Sequence, residues 1–141
     1  MNDPSFELLE HPADIGFRVR GATREELFAS AAFALLSVCG EPAAAQPLLE
    51  YPLAVESGDL QALMVDWLSE VLYHYDARRI AFRRFRVARV SDTQVQAVGL
   101  GEPRDPERHR DLLIVKAVTY HQLRVEREAG GGWVAEVYVD I

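Results

Sequence analysis

The closing nine residues, Trp133 to Ile141, alternate without a break. Trp133, Ala135, Val137, Val139 and Ile141 fall on one side, and Val134, Glu136, Tyr138 and Asp140 on the other, which is the period of a half-buried strand. The run Gly130-Gly131-Gly132 just before it is a turn signal, and Leu113 to Val125 before that reads as the longest strand. Pairing across such a turn preserves parity, so Asp140 is expected opposite the region Val118 to Tyr120, on the face of Lys116 and Tyr120. With the chain stopping inside its strand, the Asp140 side chain and the Ile141 α-carboxylate are expected side by side. Two adjacent oxygen anions repel each other unless a cation, a hydrogen-bond network or a partner neutralises them, and a hard divalent ion suits such donors. A solvated strand end is the alternative, and the terminus alone does not choose between them. Lys116 reads equally as a counter-ion to these carboxylates or as a group that contacts a phosphate beside a metal.

Earlier in the chain, Phe6 to Leu9 is a short apolar run, and Pro12 within His11-Pro12-Ala13-Asp14 marks a loop or bulge. Ile15, Phe17 and Val19 then alternate with Gly16, Arg18 and Arg20, so Asp14 enters a strand on the phase opposite its apolar face. Thr23-Arg24-Glu25-Glu26 is a capping box that opens a helix carrying Leu27, Ala31, Ala34, Leu35 and Val38 and stopping at Gly40. A strand over Leu48 to Val55 contains Pro52, which predicts an edge position. Ser57-Gly58-Asp59 starts a second helix with one apolar stripe from Leu60 through Trp67 to Tyr75. Asp66, Glu70 and His74 recur four apart on another face, the pattern of a solvated helix face more often than of a metal site. In the next strand, Ile80 to Val90, Phe82 and Phe85 lie three apart, so the strand either bulges there or begins after Arg83. Gln94 to Leu100 is a further strand, followed by a polar loop from Gly101 to Arg110. The sum is one domain over residues 1–141, α+β, with two helices packed on a mainly antiparallel sheet.

Composition narrows the functions. The net charge is -7, with 15 basic against 22 acidic residues, and phosphate affinity comes mainly from clustered Lys and Arg. A free-standing nucleic-acid binder is therefore disfavoured. The stretch Arg78 to Arg89, with six arginines and two aromatics, admits an RNA-binding reading beside the plainer one of a solvated outer sheet face. The single cysteine, Cys39, is expected buried and inert. No signal-peptide pattern and no apolar run of about 18 residues is present, so the cytoplasm is the expected location. The sequence holds no Gly-rich phosphate loop, zinc spacing or nucleophile elbow. A stand-alone phosphoesterase would need a general base beside a metal, for which His11 and His121 are available. The residues read instead as a small acidic protein with one candidate cation site at a strand end.

His11-Pro12-Ala13-Asp14-Ile15-Gly16 resembles the signature of the archease family, whose pattern runs His-Thr-Ala-Asp-Ile-Gly. Further matching pieces follow in order: Val65-Asp66-Trp67-Leu68, Gly101-Glu102-Pro103 with Asp105 and His109, Val115 to His121, and Val139-Asp140-Ile141. Together they span nearly the whole chain. Pro12 in place of Thr removes a backbone N–H and a hydroxyl, so no role of that Thr carries over. The resemblance implies a non-catalytic activator of the GTP-dependent RNA ligase of tRNA splicing and RNA repair, promoting ligase guanylylation and repeated turnover. It implies a site for one divalent cation, Ca2+, Mg2+ or Mn2+, on Asp14, Asp140 and the terminal carboxylate of Ile141. His11, Glu102, His109 and Lys116 are expected around the metal or at the ligase contact, and RNA is met through the ligase.

Overall fold

The computed structural model describes residues 3–11 and 14–141, and at Glu10 and His11 the backbone alone. Among these residues, strands β1 (Glu7–His11) and β2 (Asp14–Gly21) lead into helix α1 (Arg24–Cys39). Strand β3 (Leu49–Glu56), helix α2 (Leu60–Asp76), β4 (Ile80–Val90) and β5 (Gln94–Pro103) follow, and β6 (Ala117–Val118), β7 (Arg124–Arg127) and β8 (Trp133–Asp140) close the chain. Every strand pairing is antiparallel. The α+β class with two packed helices is as expected, but the strands divide into two sheets. One has the order β1-β2-β8-β6 with β7 also on β8; the other has the order β3-β5-β4.

Local chemistry accounts for the helix starts. The Thr23 hydroxyl accepts the Glu26 N–H at 3.1 Å, and the Glu26 carboxylate reaches back to the Ala22 N–H at 2.8 Å, the reciprocal satisfaction of a capping box. Asp59 caps α2 by accepting the Ala62 N–H at 2.8 Å. Helix α1 is buried almost all round, with Phe28, Ala32, Phe33 and Leu36 inside as well as the expected stripe. Its partners explain this: it packs on β2 and β8 of the first sheet, on β4 of the second, and on α2. A helix divided between two sheets has little outer face left to be polar. The Trp67 indole N–H donates to the Phe28 carbonyl at 2.9 Å, fixing α2 against α1 and pairing the indole's own donor in the core.

Both proline and phenylalanine expectations hold. Pro52 lies in β3, which is an edge strand, and a bulge between Phe82 and Arg84 turns both Phe82 and Phe85 inward. Cys39 is buried, and desolvation pushes its thiol up to about 12, so it stays a neutral apolar residue.

The strand expected over Leu113 to Val125 is corrected. Only Ala117–Val118 and Arg124–Arg127 are strand, and Gln122, with φ 50°, turns the chain between them. The Tyr120 carbonyl accepts the Leu123 N–H across that turn at 3.2 Å. β7 pairs with β8 in the register Arg124–Glu136, which would bring Tyr120 opposite Asp140 if continued. Ala117 stands opposite Asp140 instead, so the turn takes up three residues. An odd shift reverses the facing of everything before it. Asp140 therefore shares its face with Ala117 and not with Lys116, contrary to the parity argument.

Candidate metal centre

Strand β2 runs antiparallel to β8 from Gly21 opposite Trp133 to Asp14 opposite Asp140. Phe17, Val19, Ala135, Val137 and Val139 face the core, so the alternation puts Asp14 and Asp140 on the outer face, at one end of the ladder. Residues directly opposite in an antiparallel pair hold their Cβ atoms about 4.5–5.5 Å apart, and like charges there repel. The pair is held by eight consecutive paired positions rather than by a loop. On the next strand His11 stands opposite Asp14 in register; its side chain lies outside the described residues. Ile141 follows Asp140 and is exposed. The register thus assembles two carboxylates from opposite ends of the sequence beside the last residue.

Among the described residues no group of three or more His, Cys, Asp and Glu side chains could enclose a metal. The donors the register gathers are the two aspartates, an open all-oxygen set. Such a set suits a hard divalent cation that keeps part of its coordination for water or a ligand. The residues fit that kind of ion and do not fit a closed structural zinc site.

Comparison with known proteins matches nearly the whole length of the chain. The model of the Archease protein family matches residues 6–141. The chain is 40% identical over 140 residues to Protein archease of Methanosarcina mazei, covering 96% of this chain and 95% of that one. It is 41% identical over 139 residues to Protein archease of Methanopyrus kandleri, covering 96% and 99%. The chain belongs to the archease family. The solution structure of Methanobacterium thermoautotrophicum protein 1598 superposes with a TM-score of 0.81 at 29% identity, covering 96% of this chain and 98% of that one. The crystal structure of an archease from Thermotoga maritima, described as a possible chaperone, shares the fold with a TM-score of 0.66 at 20% identity, covering 100% and 98%.

The other site residues expected from the archease resemblance separate into different places. Lys116 donates its backbone N–H to the Asp140 carbonyl at 2.8 Å. It also lines a cavity of about 290 Å³ with Tyr73 and Asp76 of α2 and Ala77 just beyond the helix. Glu102 and His109 are buried together, with His109 Nε2 and Glu102 Oε2 3.0 Å apart. Arg108 and the Gln46 N–H complete that set, which closes the loop after β5 upon itself. Within Arg78–Arg89, Arg83 holds Asp3, Arg86 holds Glu50, and Arg89 holds the Gln96 side chain. These engaged arginines behave as a sheet face. Of the helical trio, Asp66 accepts from the Ser57 hydroxyl and Glu70 lies 3.7 Å from His74, so it gathers no metal cage.

Tyr138 and Gly16, next to the aspartate pair, carry no site role in the sequence pattern alone. They stand opposite each other one step inward on the same face, and a Cβ at residue 16 would lie 2.6 Å from the Tyr138 ring. The ring therefore lies across the bare Gly16 backbone, walling the inner side of the carboxylate pair, and His121 meets its edge with centroids 6.0 Å apart. The alternation of β2 marked this position: Gly16 breaks a run in which every other outward residue is charged. Gly16→Ala forces the ring aside and is expected to cost about 1 kcal/mol, read as a lower urea midpoint with an unchanged slope. An unchanged midpoint would show that the ring moves freely.

Proposed function

We propose that this protein holds one divalent cation, Ca2+, Mg2+ or Mn2+, on Asp14, Asp140 and the terminal carboxylate of Ile141. Through it the protein activates the GTP-dependent RNA ligase of tRNA splicing and RNA repair, promoting ligase guanylylation and multiple turnover. The observation that carries this reading is the direct pairing of Asp14 with Asp140 at the end of the β2–β8 ladder in a member of the archease family. An open all-oxygen site positions a cation without enclosing it, which suits a group that is presented to another protein's nucleotide site. The protein itself acts as a non-catalytic partner: the ligase performs the chemistry, and RNA is met through the ligase. Association with a client protein is also what the description of the Thermotoga maritima relative as a possible chaperone suggests.

The test is multiple-turnover ligation by the cognate ligase with wild-type protein, Asp14→Ala and Asp140→Ala. Wild type raises the number of turnovers per ligase. Each variant loses most of that stimulation, a fall of at least about tenfold for a lost charged metal ligand. Full stimulation by both variants sinks the metal-site reading, and no stimulation by the wild type sinks the partner.

A further inference from the structure

A second cleft, built from none of the carboxylates above, lies where the end of α2 meets the edge of the β3-β5-β4 sheet. It is lined by Tyr51 of β3, His74 of α2, Arg78 and Arg79 of the connection into β4, and Pro103 at the end of β5, with a volume of about 460 Å³. That is within the range of small-molecule sites. Three features of its wall are unusual together. Arg78 and Arg79 are adjacent and exposed, and among the described residues neither forms an ion pair, although the chain carries an excess of carboxylates and neighbouring Arg83 and Arg86 are engaged with them.

Arg79 also sits at φ 59°, where a residue with a Cβ is uncommon and glycine or asparagine is the easy choice. Its carbonyl is pinned there by the Arg104 N–H at 2.7 Å. A long cationic side chain in a strained backbone position that favours the smallest residue points to a task for the side chain. Finally, His74 Nδ1 is buried with no hydrogen-bond partner among the described residues. Its other nitrogen faces Glu70 at 3.7 Å, beyond hydrogen-bond reach. Burial lowers the pKa of His74, so near pH 7 its ring is neutral and the positive charge of the cleft is that of the two arginines. Tyr51 supplies an aromatic wall, itself edge-on to Phe82 with centroids 5.8 Å apart.

We propose that this cleft binds a nucleotide phosphate, with Arg78 and Arg79 pairing with the phosphate oxygens and Tyr51 against the attached ring, over a floor formed by the His74 ring. Guanidinium groups match phosphate oxygens in geometry and charge. The source of the phosphate is either a free mononucleotide or an RNA strand, and the chemistry recognised is the same. The site stands apart from the metal reading, since it shares no residue with it.

Titration calorimetry of the full chain with guanosine monophosphate, inorganic phosphate and a ten-nucleotide single-stranded RNA tests the assignment. Arg78→Gln with Arg79→Gln weakens binding of the phosphate probes by roughly tenfold or more, whereas Arg86→Gln with Arg89→Gln, an equal loss of two charges on the face engaged with Glu50 and Gln96, changes it less than about twofold. RNA binding tighter than mononucleotide, with a salt slope that falls by about one for each arginine removed, identifies a strand; equal affinities identify a free nucleotide. Backbone amide shifts of the wild-type protein on adding mononucleotide cluster at residues 74 and 78–80, a readout that needs no variant to fold. The assignment is overturned if no probe binds more tightly than about 1 mM, if the double variant binds as wild type, or if the shifts cluster elsewhere.

Discussion

Asp140→Asn melts no lower than wild type when divalent metal is absent, and Asp14→Asn and Asp140→Asn each lose the stabilisation that metal gives. The two aspartates are direct partners in the β2–β8 ladder. Without a cation, like charges so placed cost a few tenths to about 1 kcal/mol, so removing the Asp140 charge raises the melting temperature by about 1–4 °C for a domain of this size. A bound ion reverses the sign. At a metal concentration one hundred times its dissociation constant, wild type gains about 2.7 kcal/mol, about 5–10 °C, and each variant gains little of it. Asparagine keeps the size and the polar oxygen, so packing is held constant and charge alone changes. Differential scanning calorimetry in a chelator and then in Ca2+, Mg2+ or Mn2+ separates the two terms. If the variants shift with metal as much as wild type does, the ion is held elsewhere. If Asp140→Asn melts well below wild type in chelator, that carboxylate is structural and the strand-end repulsion has been misjudged.

How much of this was legible in the sequence depends on the range of the signal. Asp14 was placed on the outward phase of β2 by the alternation of Ile15, Phe17 and Val19, and Asp140 on the outward phase of β8 by the alternation from Trp133. Those are local patterns, and both held. That the two strands pair directly is a long-range fact that no periodicity carries; the archease resemblance implied only that the residues meet. The failure came between them. Leu112 to Val118 keeps an apolar composition, so the pattern ran on as strand, yet Leu112, Leu113 and Ile114 are exposed. Gln122 in the left-handed region broke the register, and a glutamine gives no warning of a turn as Gly or Asn would. The division into two sheets was equally hidden, because β3, β4 and β5 read locally like any other strands. Phe82 and Phe85, three apart, did announce their bulge, since two large apolar residues cannot otherwise share a face at that spacing.

The buried cluster after β5 shows the same limit from the other side, and it carries the largest stability effect expected here. Glu102 and His109 are expected near the metal or at the ligase contact; within the chain each is the other's hydrogen-bond partner. The Glu102 carboxylate accepts from Arg108 at 2.7 Å, from the Gln46 N–H at 2.8 Å and from His109 Nε2 at 3.0 Å. His109 Nδ1 accepts the Asp105 N–H at 2.8 Å, so the imidazole proton belongs on Nε2, donating to Glu102. One buried carboxylate thus ties β5 to the loop ahead of β3 and to its own following loop. Glu102→Ala strands the His109 and Gln46 donors in the interior. The cost is about 3 kcal/mol, at the low end for breaking a buried charged pair because Arg108 remains half exposed to water. The melting temperature falls by about 6–12 °C. Arg108 first, then the Gln46 and His109 hydrogen bonds, hold the Glu102 carboxyl down at about 2, against an ordinary 4.5. A carboxylate depressed on folding stabilises the fold fully above its unfolded pKa, and the contribution disappears as pH falls from 4.5 through about 2. Wild type and Glu102→Gln should therefore differ most at pH 6 to 7 and converge toward pH 2 in urea titrations. Parallel curves across that window would mean that the charge of Glu102 does not hold this loop. The loop would then be fixed by its turn hydrogen bonds, Asp105 to Arg108 and His109, alone.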